Sequence, residues 1–127
     1  MKFLLDTHIL IWLLDGNLSI GEKRLELIQD PTTIPIVSIA SLWEMSVKMS
    51  IGKLTPVYNF EDLVQNVLEK KGLQILPILP AHLDVCTSLP LHHKDPFDRI
   101  LISQAIAENL SIMSEDDVFK SYSVGLM

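Results

Sequence analysis

The chain has 127 residues, which suits a single domain spanning 1–127, and 48% of them are hydrophobic, enough to fill a sizeable core. Sixteen acids against ten Lys and Arg leave a net charge of −6, which argues against a binder that holds nucleic acid through a global basic field. The mean hydropathy of +0.31 is high for so small a soluble domain, and leaves apolar surface for a partner as the alternative to a well-filled core.

Met1 to Leu5 begins like a signal peptide, but Asp6 and His8 interrupt the apolar run and no small-residue cleavage site follows. No stretch approaches the ~20 apolar residues of a membrane helix. Cys86 is the single cysteine, so no intrachain disulfide forms and a reducing cytoplasm is the expected compartment.

Apolar runs alternate with helical patterns. Lys2 to Leu5 reads as a buried strand, and Thr7 to Leu14 as a helix covered on several sides. Ser19 to Gln29 is amphipathic, and Ile34 to Val37 forms a second strand. Ser38 caps a helix that runs to about Ser50 and ends at Gly52. A helix from Asn59 or Phe60 to Lys71 closes at Gly72. Gln74 to Ile78 is a third strand, and Pro80 to Ser88 a further helix. Asp95 is the N-cap and Pro96 the first residue of a helix to Asn109. Leu110 to Met113 is a fourth strand, Ser114 caps a short helix to about Lys120, and Tyr122 to Leu126 is a candidate edge strand. This alternation predicts a parallel sheet with helices on both faces, whose site lies outside the C-terminal strand ends.

Four acids fall at that edge: Asp6 after strand one, Glu44 in the helix after strand two, Asp98 at a helix start, and Asp116 past strand four. Each has a structural reading. Asp6 and Asp95 suit caps, Glu44 precedes Lys48 by four residues, and Asp98 and Asp116 favour helix dipoles. Two observations oppose that reading. Asp98 shares a face with Leu101, Ile102 and Ala105, where a lone carboxylate is costly, and the strand Phe3-Leu4-Leu5 delivers Asp6 to the sheet edge. Converging acids repel, and a hard cation such as Mg²⁺ relieves the repulsion. The pattern therefore predicts metal-dependent phosphodiester chemistry.

The segments Leu4-Leu5-Asp6-Thr7-His8 with Trp12, Ser38 to Lys48 around Trp43-Glu44, Asp95-Pro96-Phe97-Asp98-Arg99 and Ser114-Glu115-Asp116 closely resemble a PIN-domain protein of the VapC toxin type. The match covers almost the whole chain in order and spacing. It implies a three-layer α/β/α sandwich around a central, mainly parallel sheet of four to five strands. It implies a Mg²⁺- or Mn²⁺-dependent endoribonuclease, the toxin half of a toxin–antitoxin pair, with RNA as substrate. Carried over by motif, Asp6, Glu44, Asp98 and Asp116 are the catalytic and metal-holding quartet, with Asp95 assisting. Thr7, Ser114 and Arg99 support it, Ser114 standing where the family commonly has Thr. Partners implied are a cognate antitoxin and a homodimer or toxin–antitoxin hetero-oligomer.

His8, His92 and His93 invite a general-base role, though histidines beside turns are more often surface residues. Lys48, Lys94 and Arg99 either touch substrate phosphates or pair with the acids. The run Ile9 to Leu14 holds six apolar residues, too many for one face. With Ile20 to Ile28 it predicts a groove for an antitoxin helix, anchored by Trp12 and Leu13, against the alternative of internal packing or a homodimer. Two rivals differ in class. A receiver-type phosphoacceptor domain needs an Asp at the end of strand three, where Ile75-Leu76-Pro77-Ile78 has none. A PIN-like module that only binds is opposed by the intact quartet.

Overall fold

The computed structural model describes residues 1–56 and 59–127. Four short strands carry it: β1 (Lys2–Leu5), β2 (Ile34–Ser38), β3 (Gln74–Leu76) and β4 (Ser111–Met113). All pair in parallel in the order β3-β2-β1-β4, so β1 lies inside the sheet between β2 and β4. The helices are α1 (Thr7–Asp15), α2 (Glu22–Gln29), α3 (Ile39–Ser50), the short α4 (Phe60–Asp62), α5 (Pro80–Ser88) and α6 (Pro96–Glu108).

The strand sequences explain the layers. Alternate residues of a strand face opposite sides, and here both sides are apolar, as a parallel sheet covered on both faces requires. Phe3, Leu5, Val37 and Met113 enter one core with Ile9 and Leu10 of α1 and Met45 of α3. Leu4, Ile36 and Ile112 enter the other with Leu101, Ile102 and Ala105 of α6. The expected α/β sandwich is therefore present, with four parallel strands. Pro35 is tolerated in β2 because Ile34 N–H already points to Met1 O on the β1 side. The next residue's nitrogen then faces β3, where pairing begins only at Ile36.

Several boundaries differ from expectation. The amphipathic stretch from Ser19 divides into a 3₁₀ turn (Leu18–Ile20) and α2, because Gly21 at φ 88° stands outside helical space. The helix from Phe60 continues as a π-helical segment, Leu63–Leu68, before the turn to Gly72. Strand β3 stops at Leu76, before Pro77. The last short helix, Asp117–Ser121, is 3₁₀ and is capped by Asp116 rather than Ser114. The expected strand at Tyr122 to Leu126 shrinks to one bridge between Leu126 and Ile112. A Cβ on Gly125 would lie 2.6 Å from Ser111 Oγ, so a side chain there would displace that hydroxyl.

Candidate active site

Strand β1 ends at Leu5, and the next residue, Asp6, is only 4% exposed. It stands at the N-cap position of α1, yet its side chain caps nothing there. Instead Asp6 Oδ2 accepts from the buried Ser114 hydroxyl at 2.6 Å, across β1 and β4. The same Ser114 oxygen accepts from the Asp116 N–H at 3.0 Å. Burial pushes the Asp6 carboxyl above its usual range and Glu44 adds to the rise, while the Ser114 bond and the charge of His8 oppose it.

Glu44 reaches the same edge from α3 and is 7% exposed. Its Oε1 accepts from the Thr7 hydroxyl at 2.9 Å, and Thr7 also pairs with Ser41 at 3.0 Å. Its Oε2 meets Lys48 Nζ at 2.8 Å, the helical ion pair the spacing anticipates. Ser38 caps α3 by accepting from Ala40 N–H, which sets the start of the helix that carries Glu44.

Asp98 arrives in the first turn of α6. Asp95 caps that helix, its Oδ1 accepting from the N–H groups of Phe97 and Asp98. Burial pushes the Asp98 carboxyl up to about 6; a hydrogen bond from His93 lowers it, while the charges of Asp95, Asp6 and Glu44 raise it. Two carboxylates from distant parts of the chain and one three residues away thus press on Asp98. Asp116 is exposed, its Oδ1 accepts from Val118 N–H, and it joins the group through Ser114.

His93 is the neighbour that sequence reasoning set aside. Its Nε2 lies 2.8 Å from Asp98 Oδ2. His93, Asp95 and Asp98 each offer a ligand atom within 4.8 Å of the others, the one such trio of His, Cys, Asp or Glu among the described residues. Ser41 was also missed, since its role beside Thr7 arises only in three dimensions. Arg99 is engaged with backbone: its guanidinium donates to the carbonyls of Cys86, Leu89, Pro90 and His93 at 3.1–3.4 Å. That clamp orders the turn before Asp95. Trp12 and Leu13 are half-buried and pack on the core beneath α1, as do Ile11 and Leu14.

A parallel α/β sheet with oxygen donors crowded at its C-terminal edge defines a class of fold and site suited to a hard cation. The family model described as "PIN domain" matches residues 3–125, and the chain belongs to that family. No curated protein sequence gives a match. Among solved structures, a chain of VapBC2 from Rickettsia felis, bound to a DNA fragment from its promoter, is similar with a TM-score of 0.74 at 18% identity, covering 100% of this chain and 98% of that one. A chain of DNA-bound VapBC from Salmonella typhimurium gives a TM-score of 0.70 at 14% identity, covering 100% and 97%. A chain of FitAcB from Neisseria gonorrhoeae gives 0.66 at 16% identity, covering 100% and 96%. No helix among the described residues is long and apolar enough to cross a membrane.

Proposed function

We propose that this protein is a divalent-metal-dependent endoribonuclease of the VapC type, the toxin of a toxin–antitoxin pair. The observation that carries the reading is the gathering of Asp6, Glu44 and Asp98 at one sheet edge, where burial and mutual charge raise the Asp6 and Asp98 carboxyls. The donor set fits a hard cation: all oxygen, partly desolvated and crowded. Asp6, Glu44, Asp98 and Asp116 hold the ion, Mg²⁺ or Mn²⁺, with Asp95 in support. Bound there, the ion supplies charge neutralisation at a phosphate and a more acidic water.

The chain's own residues prepare that site. Ser114 fixes one oxygen of Asp6, and Thr7 fixes one oxygen of Glu44. Glu44, with its second oxygen on Lys48, either completes the cage or takes the proton of the attacking water. The PIN-family match and the VapBC-like fold support a toxin partnered by an antitoxin. Two open apolar grooves offer seats for such a partner. One, of about 510 Å³, is lined by Ile20, Arg24, Leu27 and Met127. The other, of about 470 Å³, is lined by Ile39, Trp43, Phe60 and Val64. Trp12 and Leu13 remain proposed contacts for that partner.

The test is cleavage of structured RNAs by purified protein with Mg²⁺ or Mn²⁺, against EDTA and Asp6→Asn. Cleavage that needs the ion and Asp6 is expected. Binding without cleavage would favour the binding-only PIN module, a reading that draws on the Lys48–Glu44 pair already satisfying one carboxylate.

A further inference from the structure

His93 lies outside the acidic quartet, and three observations set it apart from His8 and His92. Its Nε2 is 2.8 Å from Asp98 Oδ2, whereas His92 is exposed with its ring edge-on to Tyr122 at 5.1 Å, and the exposed His8 ring rests against Trp12 at 6.4 Å. Its backbone is fixed, because Arg99 donates to the His93 carbonyl as well as to three carbonyls earlier in the chain, one of them in α5. Its partner acids are fixed too: Asp95 is held by two N–H groups, and Asp98 sits in the first turn of α6 with its side chain 18% exposed.

Two ligands at about 2.1 Å from one small divalent ion stand at most about 4.2 Å apart. The 2.8 Å between Nε2 and Oδ2 suits adjacent ligands of a single ion, and the third atom, of Asp95, lies within 4.8 Å of both. An approach of well under 1 Å by the Asp95 carboxylate closes the set.

We propose that His93 supplies an imidazole nitrogen to the cation held at Asp98 and Asp95, making this a mixed nitrogen–oxygen site that prefers Mn²⁺ to Mg²⁺. This rests on the metal-dependent reading above and adds a ligand of a different chemical type. Imidazole binds transition ions well, whereas Mg²⁺ favours carboxylate and water. On binding, the ion would take the place of a hydrogen between Nε2 and Oδ2, which a neutral ring would carry on Nδ1 instead and an imidazolium would release to solvent. Because that shared hydrogen bond is already formed, the ring needs no large reorientation to present its nitrogen. His93 therefore sets which ion the site takes, while Asp6 and Glu44 set its charge.

The probe is Mn²⁺ alone, added to metal-free full-length protein and read by electron spin-echo modulation. Expected is nitrogen-14 modulation from a bound imidazole, replaced by the nitrogen-15 pattern in protein labelled with [¹⁵N]histidine. That isotope exchange needs no variant. His93→Gln should remove the modulation and weaken Mn²⁺ binding about tenfold or more, with Mg²⁺ weakened less. His8→Gln and His92→Gln should leave both intact. Bound Mn²⁺ with no nitrogen modulation overturns the assignment and leaves the metal-dependent nuclease reading standing. Modulation that survives His93→Gln and disappears in His8→Gln moves the ligand to α1 and also overturns it. Absence of any Mn²⁺ binding overturns it, and absence of Mg²⁺ binding as well overturns both.

Discussion

Two buried polar groups share the same helices and end very differently. At the β2 end that caps α3, Ser38 meets Gln104 of α6 at 2.5 Å, both fully buried. Gln104 Nε2 donates to Pro77 O at 3.2 Å and lies 3.4 Å from His82 Nδ1. His82 in turn accepts from Leu79 N–H and meets Glu108 at 3.2 Å. Here the neutral amide and hydroxyl groups at the centre match donor to acceptor. Six residues past Ser38, Glu44 of α3, and six residues before Gln104, Asp98 of α6, face Asp6, and acceptors outnumber donors. Ser114, Thr7, Lys48 and His93 each satisfy one oxygen, and the carboxylates still repel. The first group joins two helices and a strand end. The second holds charge that its hydrogen bonds do not balance, the observation on which the proposed cation site rests.

The sharpest way to break this contrast is to neutralise one member of each group. Asp6→Asn or Asp98→Asn should lower RNA cleavage by about 10²-fold or more while circular dichroism stays native. Wild-type rates in both clean variants would remove the metal-site assignment. Gln104→Ala should do the reverse. It strands the Ser38 hydroxyl and Pro77 carbonyl, costing about 2–3 kcal/mol in urea unfolding, and cleavage per folded molecule should fall far less than in the Asp variants.

Metal linkage sharpens the comparison next. At a hundred times its dissociation constant, Mn²⁺ should stabilise the wild type by about 2.7 kcal/mol, and Asp6→Asn should lose that gain. Gln104→Ala should keep it despite its lower starting point. A melting temperature indifferent to both Mn²⁺ and Mg²⁺ favours the binding-only reading.

A smaller effect follows from pH. The Asp98 carboxyl is pushed from 3.8 to about 6 in the folded protein, so folding favours its protonated form. Its contribution to stability is complete below about pH 4 and is lost as pH rises through 6. In EDTA, Asp98→Asn should therefore gain on the wild type between pH 5 and 7. A gap that stays constant across that range would mean the carboxyl is not destabilised. The smallest effect concerns Arg99. With its guanidinium spread over four carbonyls, Arg99→Ala should cost stability while the salt dependence of RNA binding keeps its slope. A shallower slope would restore Arg99 as a phosphate contact.

Much of this architecture is legible in the amino-acid order. Phe3-Leu4-Leu5 is apolar on both faces, and only a strand covered on both sides of a parallel sheet uses such a run. The helix starts at Ser38 and Asp95 follow from side chains that accept from their own backbone, a local signal. The site reads well where an acid follows such an element directly, as Asp6 does. It reads poorly where partners meet across the fold. Ser41 and His93 carry no local sign of their neighbours at Thr7 and Asp98. Asp116 and Ser114 were also exchanged as caps, because Ser114 spends its hydroxyl on a residue 108 positions away. The six apolar residues of α1 left partner groove and internal packing both open for a similar reason. Core closes over Ile9 and Leu10 and partly over the other four, a matter of layer thickness rather than periodicity.

The register of β1 with β4 bears on the order of events during synthesis. Phe3 pairs with Ser111 and Leu5 with Met113, so the inner strand β1 waits for a segment 108 residues further along the chain. Pairing at such separation is slow and comes late in folding. Asp6 gains its Ser114 partner only then, and Asp116 follows two residues behind. A ribosome-bound nascent chain halted before β4 therefore holds β1, β2 and α3 without the edge that aligns Asp6. If the chain cleaves RNA, it does so only after Ser111 to Asp116 have left the ribosome.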